Sequence, residues 1–117
     1  MNRITIERFE DERGLLCWFG QKSLGFNFKH TTVGTIEPDC KRGGHYHKLI
    51  KEKLLCVHGK LLFILDDEEA ILYPGDMVDV PKKKVHTLIN IGSETAFFVE
   101  IKNKELPKED NDIHVKE

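Results

Sequence analysis

Two histidines, His45 and His47, stand two residues apart in the run "RGGHYHKLIKEKLLCVHG", and Glu52 follows five residues later. In extended chain, residues two apart share a face. Both imidazoles would then project into one interior, with Tyr46 on the other side. A further histidine, His86, comes after a turn at Pro74, Gly75 and Asp76, a short apolar run and a proline corner at Pro81. Three imidazoles and one carboxylate are donors that suit a borderline divalent ion, with one or two positions left for water or substrate. Neutral ring nitrogens bind such an ion strongly, and the carboxylate offsets its charge. His30, His58 and His114 lack partners at such spacing and read as ordinary surface or core residues.

The elements that must position these residues are short. Strands are predicted over 3–9, 15–19, 26–36, 53–59, 60–65, 69–73, 76–80, 86–91 and 95–101, where apolar, β-branched and aromatic residues alternate or cluster. The breaks are turn chemistry, among them "ERG", "HGK", "DDEE", "PGD" and "IGSE". No window carries the 3.6-residue apolar period over a helix-sized length. Short strands with no helices between them predict an all-β antiparallel sandwich or barrel. Residues 1–102 read as this barrel. Residues 103–117, charged and poor in apolar side chains, read as a C-terminal tail, solvated by preference over one frayed or laid on a partner subunit.

At 117 residues the chain has the length of one domain, and 39% hydrophobic with 32% charged residues is ordinary for a globular protein. A formal charge of −2 argues against nucleic acid or an anionic membrane as partner. The run Lys82, Lys83, Lys84 reads as a solvated turn. No segment approaches the ~20 apolar residues of a membrane helix, and the N-terminus has no apolar core of a signal peptide. Three cysteines, Cys17, Cys40 and Cys56, are an odd number without close pairing and read as reduced thiols. The expected location is cytoplasmic.

The two segments together resemble the paired motifs of the cupin superfamily. His45, His47, Glu52 and Gly59 meet the first motif's spacing, and Gly75, Pro81, His86 and Asn90 meet the second's. Asp39 and Lys83 stand where those motifs carry glycine. The resemblance implies a double-stranded β-helix, the cupin jelly-roll barrel. It also implies one divalent metal ion (zinc, nickel, iron or manganese) on His45, His47, Glu52 and His86, with no organic cofactor.

"RGGHYHK" at 42–48 and "FEDERGLL" at 9–16 resemble segments of sugar-nucleotide 3,4-ketoisomerases and 3,5-epimerases, which bind no metal. Glu52 with "HYH…EKLL" resembles instead the metal-binding cupin domain of capsular-polysaccharide reductases. These likenesses imply a nucleotide-linked keto-sugar as the small-molecule substrate, in cell-surface polysaccharide synthesis. His45, His47 and Tyr46 are the catalytic candidates, with His30 a further possible base. Arg13 and Arg42 are the phosphate-binding candidates, although a surface ion pair explains each equally well. An Fe(II) dioxygenase and a non-catalytic sugar- or metal-binding module are the alternatives. Edge strands of an open sandwich predict a homodimer.

Overall fold

A computed structural model describes residues 1–104 and 112–115. The strands run β1 Glu7–Asp11, β2 Gly14–Gly20, β3 His30–Ile36, β4 Lys41–Tyr46, β5 Glu52–His58 and β6 Leu61–Leu65. They continue as β7 Glu68–Leu72, β8 Met77–Val80, β9 His86–Asn90, β10 Ala96–Lys102 and β11 His114–Val115. Two antiparallel sheets form, in the orders β1-β2-β3-β10-β5-β8 and β11-β4-β9-β6-β7. This is the all-β jelly-roll barrel expected.

Alternation builds the interior. On β5 the buried positions are Glu52, Leu54 and Cys56, and on β9 they are His86, Leu88 and Asn90. Ile36, Leu54, Cys56, Leu61, Phe63, Leu72, Val80, Leu88, Ala96 and Phe98 form one apolar cluster between the sheets. Period 2 therefore puts a polar residue at the first inward position of both strands, Glu52 and His86, and an apolar residue at the second.

Three expectations need correcting. The strand expected over 3–9 starts at Glu7 and runs to Asp11. The strand expected over 26–36 starts at His30, and one helical turn, α1 (Gln21–Leu24), precedes it. That turn ends on Gly25 with φ 75, a left-handed close that halts it at once. The solvated tail also fails for the part described. Asp112 is buried and β11 pairs with β4, and the Asp112 carboxylate accepts the backbone N–H groups of Lys48, Leu49 and Ile50. The rest of that tail, 105–111 and 116–117, lies outside the described residues. Among the described residues no helix is long and apolar enough to cross a membrane.

Asp39 and Lys83, the two positions where the resembled motifs carry glycine, have φ 65 and 68. The glycine of the motif thus marks a left-handed turn, and here ordinary side chains occupy it. A left-handed residue with a Cβ costs about 1–2 kcal/mol, while an added glycine costs about 0.5–1 kcal/mol in unfolded-chain entropy. Lys83→Gly should therefore stabilise the protein by about 0.5–1 kcal/mol, read as a raised urea midpoint at unchanged slope.

Candidate metal centre

Each predicted ligand sits at the end of an element. His45 is near the end of β4, and His47 lies one residue past it. Glu52 opens β5 and His86 opens β9. His45 faces His86 in the β4–β9 register, which shifts between Gly43 and His45. That bulge rests on Gly43, whose φ is 105 and whose absent side chain lets the His86 carbonyl approach. A Cβ there would lie 2.5 Å from that oxygen.

The structure brings the four residues together. Ring centroids are 4.6 Å apart for His45–His86 and 5.2 Å for His45–His47 and His47–His86. The three histidines each offer a donor atom within 4.8 Å of the others. Glu52 Oε1 is 2.8 Å from His47 Nε2 and 3.7 Å from His86 Nε2. Ligand atoms about 2.1 Å from a common ion stand roughly 3–3.5 Å apart, so the histidine donor atoms, within 4.8 Å of one another, would draw in around a divalent cation.

Hydrogen bonding sharpens the test. His47 Nδ1 lies 2.7 Å from the Asp112 carbonyl. A carbonyl only accepts, so Nδ1 carries the proton. Nε2 then either donates to the Glu52 carboxylate, when the ring is protonated, or, when the ring is neutral, offers its lone pair to a cation that the carboxylate can share.

The titrations follow from burial. His45 is pushed down by burial and then by neighbouring His47. His86 is lowered to about 4, mainly by burial and then by His45, so at neutral pH its lone pair is available. For His47 burial lowers the value, but the Glu52 carboxylate and the Asp112 carbonyl outweigh it and the net shift is upward. Burial would raise Glu52. Hydrogen bonds with Glu100 and His47, and the charge of Lys102, hold it well below the usual carboxylate range.

Two residues of this neighbourhood escaped the sequence reading. Glu100 and Lys102 lie on β10, opposite Leu54 and Glu52, and Glu100 forms a second donor group with Glu52 and His86. Their signal was alternation alone. Ala96 and Phe98 face inward, so Glu100 and Lys102 must also do so.

A cavity of about 220 Å³ adjoins the cluster, lined by the three histidines with Arg13, Arg42, Glu100, Lys102 and Ile113 among others. Both predicted arginines thus reach it. Arg13 also forks onto Asp11 through Nε at 2.9 Å and Nη2 at 2.6 Å, the ion pair weighed above. Arg42 gives a long bond from Nε to the Thr35 carbonyl, 3.4 Å. Its Nη2 is buried with no hydrogen-bond partner among the described residues. Burial, then repulsion from Arg13, lowers its pKa, as expected of a cation awaiting an anion.

Tyr46 is not brought to this cavity. Its ring packs against His114, centroids 5.4 Å apart, and lines a separate pocket with Asp66, Asp67, Lys83 and Val85. The strand alternation that sends His45 and His47 inward turns Tyr46 away. His30, at the start of β3, is buried and does not line the cavity. Cys56 packs in the core, and all three cysteines are free thiols.

Comparison with known proteins adds to this geometry. A family model described as Cupin domain matches residues 32–102. No curated protein sequence matches the chain. Among solved structures, the capsular polysaccharide assembling protein CapF from Staphylococcus aureus superposes with a TM-score of 0.77 at 22% identity, covering 98% of this chain and 32% of its own. An S161A mutant of Bacillus subtilis oxalate decarboxylase OxdC gives 0.78 at 24% identity, covering 86% and 28%. Another structure of that decarboxylase, from work on its Mn(II) centres, gives 0.79 at 23%, covering 87% and 29%. The chain spans about a third of the length of these proteins. At such identities the likeness is one of fold.

Proposed function

The chain belongs to the cupin domain family, and from that premise we propose that it is a metal-dependent cupin acting on a nucleotide-linked keto-sugar by proton transfer. The observation that carries the reading is the buried His47–Glu52 contact at 2.8 Å, with the ring nitrogens of His45 and His86 gathered beside His47. A divalent ion held by His45, His47, Glu52 and His86 would supply Lewis acidity to a carbonyl oxygen.

The chain's own residues supply the rest. Arg42, with its buried Nη2 unpartnered, and Arg13 beside it would bind an anionic group at the cavity wall. Glu100 lies within reach of the cluster and could take a proton from a carbon next to a carbonyl and return it. Leu16, Leu54, Leu88 and Phe98 wall the same cavity and exclude water. The volume of about 220 Å³ is below the roughly 300–1,000 Å³ typical of sites that enclose a drug-sized ligand. A sugar ring is therefore the part that would enter, with the nucleotide outside. The neighbour whose name refers to capsular polysaccharide assembly agrees with a role in cell-surface sugar metabolism. A cytoplasmic location agrees with three free thiols, and a homodimer would cover edge strands.

Zinc-, manganese-, nickel- or iron-loaded protein is to be mixed in D2O with a deoxythymidine-diphosphate-linked 4-keto-6-deoxy sugar. Deuterium should replace the hydrogen at C3 or C5 in the NMR spectrum. Absence of exchange with all four metals rejects the reaction. The second reading, an Fe(II) oxygenase, rests on the same three imidazoles and one carboxylate, a donor set that iron also accepts. Iron-dependent oxygen uptake without deuterium exchange would select it.

A further inference from the structure

His47 is gripped from behind by one residue far along the chain. Asp112 Oδ1 accepts the Lys48 N–H at 3.0 Å, and Oδ2 accepts those of Leu49 and Ile50 at 2.7 and 2.8 Å. The Asp112 carbonyl takes the His47 Nδ1 proton at 2.7 Å. One residue thus satisfies four donors from four consecutive residues, 47 to 50, directly after β4. Asp112 is 1% exposed. Burial would raise its carboxyl, but the three backbone N–H groups outweigh this and hold it below its ordinary value. The residues after it continue the grip. Ile113 lines the metal-side cavity, and His114 and Val115 pair with Tyr46 and His45 of β4.

We propose that Asp112 is a positioning residue for the metal centre, fixing the Nδ1–H tautomer and ring orientation of His47 without touching the ion. The inference rests on the metal reading above and adds a dependence that reading does not contain. Glu52 creates the need. Its oxygen, 2.8 Å from His47 Nε2, is the better acceptor, and on its own it would draw the ring proton to Nε2. The ring would then donate to Glu52 and have no lone pair for a cation. The Asp112 carbonyl competes for that proton from the opposite side and leaves Nε2 bare whenever the ring is neutral. Its side chain, through Lys48, Leu49 and Ile50, holds the loop that makes the competition possible.

The test uses the full chain with Asp112→Ala and Asp112→Asn. In metal-free protein at pH 8, ring nitrogen NMR shifts should show His47 as the Nδ1–H tautomer in wild type. In the variants it should be Nε2–H or a mixture. Zinc affinity, measured by competition with a chromophoric chelator, should fall about 10–100-fold in both variants. Circular dichroism and urea unfolding check that each is folded. A folded variant that keeps the Nδ1–H tautomer and wild-type zinc affinity overturns the proposal. So does an Nε2–H tautomer for His47 in the wild type, a result that needs no variant to fold. If the wild type binds no zinc, the metal reading falls by a separate measurement, and the tautomer result is still read in its own right.

Discussion

Chelation of divalent metal from the purified protein should lower its melting temperature by on the order of 15 °C, and one equivalent of zinc should restore it. A ligand that binds only the folded state at about a thousand times its Kd adds about 4 kcal/mol. For a domain of this size each kcal/mol moves the midpoint by a few degrees. The effect should be large because the metal-free centre is an awkward one. The Glu52 carboxylate has no exposed surface, and it is packed with three imidazoles, Glu100 and Lys102. His47 Nε2 lies 2.8 Å from its Oε1. His86, held to about 4 by burial and His45, is already neutral at pH 7 and loses no proton on binding. His86→Ala and His47→Ala should each flatten the zinc response while leaving a folded barrel by circular dichroism. Zinc that moves the midpoint equally in wild type and both variants would place the ion elsewhere. A wild type that neither copurifies with metal nor responds to zinc would remove the centre altogether.

The part of this arrangement legible in advance is what local spacing encodes. His45 and His47 share a face because strand geometry repeats every two residues, and Glu52 and His86 stand at the starts of the next strands that turn inward. Asp39 and Lys83 show how far spacing carries. Their side chains depart from glycine, yet both keep the left-handed backbone that the glycine signalled. Glu100 and Lys102 were hidden because "TAFFVEI" reads as an apolar strand, and only strict alternation from Phe98 turns them inward. Asp112 carried no signal. Its partners are backbone N–H groups 62 to 64 residues away, and backbone donors have no sequence signature. Tyr46 was drawn to the site by its neighbours in sequence, which the pleat places on the opposite face.

Gly43→Ala should cost several times what Gly44→Ala costs and should abolish the zinc response, although the glycines are adjacent. Gly44 has φ 75, and an added Cβ would meet nothing within 4 Å. That substitution carries only left-handed strain, about 1–2 kcal/mol. Gly43 has φ 105, and its Cβ would fall 2.5 Å from the His86 carbonyl oxygen and 3.0 Å from Thr87 Cα. Both are backbone atoms of β9, so no rotamer change relieves the overlap. Relief requires β4 and β9 to part at the bulge where His45 opposes His86, which separates two of the four candidate ligands. Stability and metal binding should therefore fall together in Gly43→Ala, by roughly 3 kcal/mol or more in urea. Gly44→Ala should keep its zinc-induced rise in melting temperature. Equal losses in the two variants, or a Gly43→Ala protein that still answers to zinc, would show that the bulge does not set the distance between His45 and His86.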